Sequence, residues 1–207
     1  MAGFKSNLLQ VYLLRHGEAW GNVQGGYYGR TDCPLTAKGR QQAERAGTTM
    51  RELRAAGADR GLLLLTSPLE RARHTAEIVR EAAGLNGAFL VEPDWQEIDF
   101  GRWEKRHYQD IAREEPAAWQ SLCDDWQNFC YPQGESFRVF SERVIAAWQK
   151  WQLLASRQQK DILVVSHGGV LKVIRLFAEA RPWDDFWRLH ISPGELQVLP
   201  SDGPPFP

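Results

Sequence analysis

The sequence predicts an α/β fold with a mainly parallel sheet, and three observations support this prediction. Short apolar runs alternate with segments of helical periodicity along the whole chain. Leu62 to Leu65 are consecutive leucines, as expected of a strand buried on both faces. Two other runs end in a histidine followed by glycine, at His16 and at His167. No linker or internal repeat interrupts the alternation, so residues 1–207 are expected to form one domain.

Strands and helices are expected in turn through the first half of the chain. Strands are predicted at residues 8–14, 62–65 and 89–91. The glycine-rich segment 21–30 is expected to be a loop over the strand ends. Thr36 is the expected N-cap of a helix that ends near Gly57.

A strong helix start follows the second strand. Ser67 is spaced as an N-cap, Pro68 as the first helical residue and Glu70 as the partner in a capping box. Arg71 would then lie in the first turn, just beyond a strand end. A helix N-terminus with an arginine beside it suits an anion.

The second half is less regular at first. Residues 95–132 are expected to be a helical insertion beside or over the sheet, with short helices at 108–113 and 116–127. A long amphipathic helix begins after Gly134. A strand is predicted at 161–165, a helix at 169–179 and edge strands at 189–191 and 195–199, before a loose proline-rich tail at 201–207.

The bulk composition excludes several classes of partner. The 25 basic and 26 acidic residues give a net charge of -1, so no whole-protein basic field favours nucleic acid. No apolar run approaches the ~18 residues of a membrane span, and residues 1–7 lack a secretory signal. The three scattered cysteines, Cys33, Cys123 and Cys130, are expected to be reduced thiols in a cytoplasmic protein.

The residues at the predicted strand ends suggest phosphate chemistry. They are Arg15, His16, Asn22, Arg71, Glu97 and His167. Guanidinium groups offer planar donor forks that suit phosphate oxygens, and glycine turns such as the one at Gly168 add backbone amides. No HxH, HExxH or aspartate cluster is present, so phosphate binding needs no metal and no cofactor is predicted.

A histidine in such a pocket can also react. A neutral imidazole is a competent nucleophile toward phosphorus, and arginines stabilise the equatorial oxygens during transfer. A carboxylic acid such as Glu97, held protonated near neutral pH, could protonate the leaving alcohol and then accept a proton from water.

Four segments together resemble the histidine phosphatase superfamily, the phosphoglycerate mutase-like group. They are Leu14-Arg15-His16-Gly17-Glu18, the run from Ser67 to Ala76, Glu97 with Phe100-Gly101-Arg102-Trp103-Glu104, and Ser166-His167-Gly168-Gly169. They occur in the family's order across residues 11–199. The resemblance implies a three-layer α/β/α sandwich. It also implies that His16 is the phosphorylated nucleophile and Glu97 the proton donor, with Arg15, Arg71 and His167 in the phosphate pocket and Asn22 assisting.

Within the superfamily, the middle segment is similar to α-ribazole phosphatases, which act in cobalamin nucleotide-loop assembly. That similarity implies a small nucleotide or cobamide phosphate as substrate. Lys105 stands where many relatives carry glycine. Two alternatives remain: a phosphoglycerate mutase or broad-specificity sugar-phosphate phosphatase, and an inactive phosphate-binding protein. No particular oligomeric state is predicted.

Five further residues are candidate substrate contacts, each with a structural alternative: Glu18, Tyr28, Trp103, Glu135 and Ser136. Glu18 could instead cap its loop, and Glu135 and Ser136 could simply begin a helix. Relatives often carry Ser or Thr at the position of Tyr28, so contact between this residue and phosphate is left open. The aromatic residues near Trp103 suit stacking on a dimethylbenzimidazole base, or could hold the insertion down. Arg73 and His74 are expected on a solvated helix face.

Overall fold

A five-stranded sheet forms the centre of the computed structural model, which describes residues 9–56 and 60–199. The strands are β1 (Val11–Arg15), β2 (Leu62–Thr66), β3 (Leu90–Val91), β4 (Asp161–Ser166) and β5 (Leu196–Val198). The helices of the described chain are α1 (Trp20–Gln24), α2 (Ala37–Ala56), α3 (Glu70–Ala83), α4 (Tyr108–Glu114), α5 (Pro116–Asp124), α6 (Phe137–Gln158) and α7 (Gly168–Ala178).

The strand order β3-β2-β4-β1-β5 makes β4 the central strand. It pairs in parallel with β1 on one side and with β2 on the other, and all six of its residues are buried. β3 adds a further parallel pair, while β5 runs antiparallel to β1. The predicted mainly parallel sheet is confirmed.

Helices cover both faces of this sheet. Consecutive strand residues point to opposite faces, so Leu14 and Val165 pack with residues of α2 and α3, whereas Leu13 and Val164 pack with residues of α6 and α7. The two hydrophobic clusters are therefore separated by the sheet itself. This is the three-layer α/β/α sandwich that the resemblance implied.

The glycine-rich segment after His16 is not entirely a loop. Residues 20–24 form α1, which the sequence did not predict. The Ala19 N–H donates to Asn22 Oδ1 at 2.9 Å, and Gly25 ends the helix with φ of 73°. A helix of five residues is too short for its periodicity to be recognised in sequence.

The N-cap of α2 is as predicted, because Thr36 Oγ1 accepts the Gly39 N–H at 3.0 Å. The predicted end at Gly57 lies outside the described residues, as do residue 8, the predicted start of β1, and the tail 201–207.

The prediction that Ser67 caps α3 is wrong. The helix begins at Glu70, and its N-cap residue is Leu69, which makes no side-chain cap bond. Ser67 Oγ is instead bonded to His167 Nε2 at 2.7 Å. The distant Asp32 carboxylate accepts the Glu70 N–H. A partner supplied from elsewhere in the chain therefore replaces the local cap, although Arg71 still lies in the first turn.

The segment 95–132 contains both predicted short helices, α4 and α5. The second ends at Asp124 rather than at residue 127. Two 3₁₀ turns, Pro93–Trp95 and Gly101–Trp103, precede them. Trp95 and Trp103 are completely buried, and Trp103 stacks on Phe129 with 5.4 Å between ring centroids. Bulky rings thus fill the space beneath this irregular segment. The division into one domain with an insertion stays a prediction.

The C-terminal part contains one further correction. Residues 189–191 form no strand; they follow a 3₁₀ turn, Trp183–Trp187, in an irregular segment. The Ile191 carbonyl accepts a hydrogen bond from Arg15 Nη1 at 2.7 Å instead of joining the sheet. The other predicted edge strand is present as β5. No helix in the described residues is long and apolar enough to cross a membrane.

Candidate active site

Two histidines meet at the carboxyl end of the sheet. The parallel pairing of β1 with β4 aligns Arg15 with Ser166, so the next residue of each strand, His16 and His167, emerges at the same point. Their ring centroids are 5.1 Å apart with an interplanar angle of 60°, and both side chains are buried. Residues 151 positions apart in sequence are therefore neighbours because their strands are hydrogen-bonded partners.

His16 is held in one tautomer. Its Nδ1 lies 2.8 Å from the Gly17 carbonyl oxygen, which can only accept, so Nδ1 carries the hydrogen. Nε2 is then the nitrogen with a free lone pair. Burial lowers the pKa of His16 well below 6.5, and the positive charges of Arg71 and Arg15 lower it further. The imidazole is accordingly neutral at pH 7, as a nucleophile must be.

His167 is oriented through both ring nitrogens. Arg71 Nε donates to its Nδ1 at 3.3 Å, which leaves Nε2 to donate to Ser67 Oγ at 2.7 Å. Burial, followed by the charge of Arg71, lowers the pKa of His167 well below 6.5. Ser67 therefore fixes the second histidine, a contact that the sequence analysis missed because it had assigned this hydroxyl to a helix cap.

Arg71 is clamped by a distant loop. Its guanidinium is buried and donates to the carbonyl oxygens of Gly29 at 2.6 Å and Thr31 at 2.9 Å. Asp32 Oδ1 is 3.5 Å from Nη1. The guanidinium is thus held rigidly against His167.

Glu104 holds that loop in place. Its carboxylate accepts the backbone N–H groups of Gly29, Arg30 and Thr31 at 2.9–3.2 Å, and that of Phe100 at 3.3 Å. Glu104 is part of a motif that resembles the family, but no role was predicted for it from the sequence. Its partners in the loop, Gly29, Arg30 and Thr31, lie more than 70 residues earlier, and no sequence pattern indicates such a pairing.

Arg15 approaches the start of α7. Nη1 is bonded to the Ile191 carbonyl, whereas Nε is buried and has no hydrogen-bond partner in the described part of the chain. A Cβ built on Gly168 would lie 3.4 Å from the guanidinium carbon, which is van der Waals contact, so the guanidinium packs directly against the start of α7. Burial lowers the pKa of Arg15, and the Glu97 carboxylate opposes that effect. An unpaired buried donor costs about 1–3 kcal/mol, which an anion could recover.

Glu97 lies beside the same helix start. Its Oε2 accepts the Gly169 N–H at 2.9 Å, and its Oε1 accepts the Ile98 N–H at 3.0 Å. The α7 amide thus fixes the carboxyl group on the wall of the cavity that Arg15 also lines.

Three other predicted residues have local partners. Asn22 is exposed and accepts the Ala19 N–H. The Glu18 carboxylate binds Thr36 Oγ1 at 2.9 Å and Lys38 Nζ at 2.8 Å, which lowers its pKa. The Tyr28 hydroxyl donates to Gln24, and its ring packs against Gly21. For Glu18 and Tyr28 these contacts agree with local roles, such as the loop cap considered for Glu18, and the predicted role of Asn22 at the phosphate stays a prediction.

The remaining candidates also stabilise local structure. Trp103 is completely buried and exposes no surface to a ligand. Ser136 Oγ accepts the Val139 N–H at 3.3 Å as the N-cap of α6. Glu135 accepts the Asp99 N–H at 2.9 Å and pairs with Arg143 at 2.6 Å. These contacts agree with the structural alternatives for Trp103 and Ser136. The Glu135 carboxylate instead joins Asp99 to Arg143, so its contacts are not those of a residue that begins a helix.

The arrangement forms an anion site with a nucleophile in it. The buried guanidinium of Arg71, the partly buried one of Arg15, two neutral imidazoles and the amides at the start of α7 converge on one point. Among the described residues, no group of three or more His, Cys, Asp or Glu side chains is arranged to hold a metal ion.

Comparison with known proteins identifies the family. The model of the histidine phosphatase superfamily (branch 1) matches residues 11–204. The chain belongs to this superfamily. The match spans both histidine turns, Arg71 and Glu97, so the resemblance noted in the sequence is confirmed.

Two relatives that match most of this chain share one kind of name. The adenosylcobalamin/alpha-ribazole phosphatase of Escherichia coli K12 is 35% identical over 189 residues, covering 90% of this chain and 87% of the relative. The crystal structure of the alpha-ribazole phosphatase from Shigella flexneri is 33% identical, with a TM-score of 0.78 over 92% of this chain and 89% of that one.

A second kind of relative carries a different name. A Klebsiella pneumoniae protein named "Probable phosphoglycerate mutase GpmB" is 38% identical over 162 residues, covering 78% of this chain and 70% of the relative. This match is shorter than those to the ribazole phosphatases.

Proposed function

We propose that this histidine phosphatase hydrolyses α-ribazole 5′-phosphate through a phosphohistidine intermediate. One observation supports the mechanism above all: His16 is neutral, its Nδ1 is occupied by the Gly17 carbonyl, and its free Nε2 is available beside two guanidiniums. The substrate is proposed from the names of the relatives that match 90% of the chain.

In this proposal each residue of the site has one role. His16 Nε2 attacks phosphorus. Arg15 and Arg71 bind the phosphate oxygens together with the Gly168 amide, and Asn22 assists them. His167 lies in the same pocket and accepts the hydrogen bond of Arg71 Nε. The two charged guanidiniums offset the negative charge that the phosphoryl group carries during transfer. Glu97 donates the proton that the leaving alcohol requires.

The two half-reactions balance. In the first, the bond between phosphorus and the ester oxygen breaks as the His16 Nε2–phosphorus bond forms, and the Glu97 proton goes to the leaving oxygen. In the second, Glu97 takes a proton from water, whose oxygen attacks phosphorus and releases inorganic phosphate and neutral His16.

The proposal includes a cytoplasmic location, which was expected from the cysteines. Cys33, Cys123 and Cys130 are all unpaired. Free thiols are typical of a reducing compartment.

A substrate panel tests the substrate. The kcat/KM for α-ribazole 5′-phosphate is expected to exceed the values for 3-phosphoglycerate and fructose 2,6-bisphosphate. Activity on p-nitrophenyl phosphate should persist in excess EDTA. Equal or higher rates with 3-phosphoglycerate would favour a phosphoglycerate mutase. This is the second candidate function because a relative with that name is 38% identical. A strict metal requirement would contradict the mechanism.

A variant of the nucleophile tests the mechanism separately. His16→Ala is expected to lower kcat at least about 10³-fold, because no other group can form the covalent intermediate. Acid-labile labelling from a ³²P-phosphorylated substrate should disappear with it. Labelling that persists in this variant would assign the nucleophile to another residue. An inactive phosphate-binding protein would show neither turnover nor labelling in its native form.

A further inference from the structure

A cavity of about 280 Å³ opens directly beside the candidate phosphate site. Arg15 and Glu97 line its inner end, and the side chains around the rest are mainly aromatic. Its volume lies near the lower end of the range for ligand cavities, which suits a leaving group the size of a nucleoside. A phosphate ester bound between the histidines would therefore extend its alcohol part into this space.

The outer wall is an ordered group of three aromatic rings. Trp126 and Phe186 are stacked, with centroids 5.8 Å apart and an interplanar angle of 25°. Trp187 meets both rings edge-on, at 5.5 Å and 5.3 Å. Although its neighbours hold it, 62% of Trp187 remains exposed. An indole that is held in place at the mouth of an apolar cavity presents an exposed ring on which a planar ligand ring can stack.

Lys172 of α7 lines the same cavity with an ammonium group that lacks a polar partner. Its Nζ is 4.9 Å from the centroid of the Phe186 ring. In the described part of the chain it makes no hydrogen bond and no ion pair within 4 Å, unlike Lys38 and Lys150. Burial lowers the pKa of Lys172, and the Glu97 carboxylate opposes that effect. A partly buried ammonium with free N–H donors favours a ligand that brings oxygen acceptors.

We propose that this cavity binds the leaving group as an aromatic nucleoside. The heterocyclic base stacks against the wall formed by Trp126, Phe186 and Trp187. Lys172 donates a hydrogen bond to an oxygen of the sugar. This inference rests on the proposed function, because it assigns the ribazole part of that substrate to named residues. A three-carbon acid phosphate would leave the aromatic wall uncovered and would use Lys172 for its carboxylate.

The first experiment measures the contribution of the base. Trp187→Ala is the informative variant, since its side chain is mostly exposed and its removal spares the core. The readout is the ratio of kcat/KM for α-ribazole 5′-phosphate to that for ribose 5-phosphate, which lacks the base. The ratio is expected to fall about ten-fold, in line with the loss of one stacking contact. Tyr108→Ala removes another exposed aromatic ring, which lies outside this cavity, and should leave the ratio within about two-fold.

The outcomes separate the two proposals. If the wild-type protein prefers α-ribazole 5′-phosphate and Trp187→Ala keeps the full preference, the cavity assignment is overturned while the proposed function stands. If the wild-type protein prefers adenosine 5′-monophosphate and Trp187→Ala removes that preference, the assignment stands and the proposed substrate is wrong. A wild-type protein with no preference for either nucleotide over ribose 5-phosphate overturns the assignment.

A binding measurement covers the case in which turnover is too low to compare. Titration calorimetry of α-ribazole 5′-phosphate into His16→Ala protein gives a Kd without hydrolysis. Adding Lys172→Met, which keeps the side-chain length over Phe186, is expected to raise this Kd about ten-fold. The Kd for inorganic phosphate should change by less than about two-fold. If Lys172→Met instead weakens 3-phosphoglycerate and leaves the nucleotide unaffected, the cavity is a carboxylate site and the proposal fails.

Discussion

At the scale of single residues, the site depends on keeping two imidazoles uncharged beside two guanidiniums. A protonated His16 could neither attack phosphorus nor tolerate Arg15 and Arg71 as neighbours. Burial and the two positive charges act in the same direction on its pKa, and the Gly17 carbonyl selects the tautomer. The local backbone and the fold together prepare the nucleophile before any substrate binds.

Gly169 provides a test of the proton donor at this scale. A Cβ built there would lie 2.3 Å from Glu97 Oε1, the end of a flexible side chain, so Gly169→Ala should displace the carboxyl group and preserve the fold. With the donor displaced, kcat on alkyl phosphates is expected to fall about ten- to hundred-fold. The melting temperature should change by only a few degrees. Steady-state kinetics and thermal denaturation measure these two effects.

The leaving group supplies the control. p-Nitrophenol leaves without help from an acid, so its phosphate should lose much less activity than an alkyl phosphate in Gly169→Ala. Glu97→Gln should give the same contrast, since it removes the proton and keeps the shape. Equal losses on both substrates would mean that the substitution disturbs phosphate binding and not proton donation.

The residues that sequence could predict share a local signal. His16 and His167 each follow an apolar strand and precede a glycine, and Arg15 is the residue before His16, so their positions at strand ends could be read directly. Arg71 and Glu97 were candidates as well, and the resemblance of their motifs to those of the superfamily implied a role for each. Ser67 and Glu104 have no such signal, because their partners are a histidine 100 residues later and amides over 70 residues earlier. Lys172 lies on an ordinary apolar helix, and only the cavity reveals it.

At the scale of elements, the adjacency of β1 and β4 creates the site. Alternating apolar runs predict that both strands exist and are buried, since these features follow from local composition. The order β3-β2-β4-β1-β5 depends on packing across the whole sheet and has no local signal. For the same reason residues 189–191 were wrongly predicted as a strand: their pattern suits one, but the Ile191 carbonyl binds Arg15.

The loop that clamps Arg71 yields a prediction at this scale. Glu104→Gln keeps the size of the side chain but loses its charge, and its amide NH₂ would face backbone donors that need an acceptor. The free energy of unfolding is expected to fall by about 1.5–3 kcal/mol, as when charge-assisted hydrogen bonds are lost. Since Gly29 and Thr31 hold the Arg71 guanidinium, kcat/KM should fall about ten- to hundred-fold. Denaturant titration and steady-state kinetics give the two quantities.

A matched substitution tests whether the loss of one negative charge anywhere on the protein has the same effect as its loss at the loop that holds Arg71. Glu142→Gln removes an acidic charge from an exposed site on α6, where it pairs with Arg138 at 3.9 Å. It should leave both quantities nearly unchanged. If Glu104→Gln lowers stability while kcat/KM stays at the wild-type value, the loop supports the fold without positioning Arg71.

At the scale of the whole molecule, building the site from two distant chain segments makes stability depend on pH. His16 and His167 are neutral in the folded protein because their pKa values lie well below 6.5, while in the unfolded chain both titrate near 6.5. Below that pH the unfolded state binds more protons than the folded state. The free energy of unfolding therefore falls as the pH drops, by up to about 1.4 kcal/mol per pH unit for each histidine.

Urea denaturation at pH 7, 6 and 5, in chloride without phosphate, would measure this effect. The window lies above the ordinary glutamate pKa of 4.5, so the lowered pKa values of Glu92 and Glu115 contribute little there. The double variant His16→Gln/His167→Gln should lose most of the dependence on pH. His74→Gln/His190→Gln, which changes two exposed histidines, should keep it. Equal slopes in the two double variants would mean that the buried pair binds protons in the folded protein as it does in the unfolded chain, which would contradict the lowered pKa values of His16 and His167.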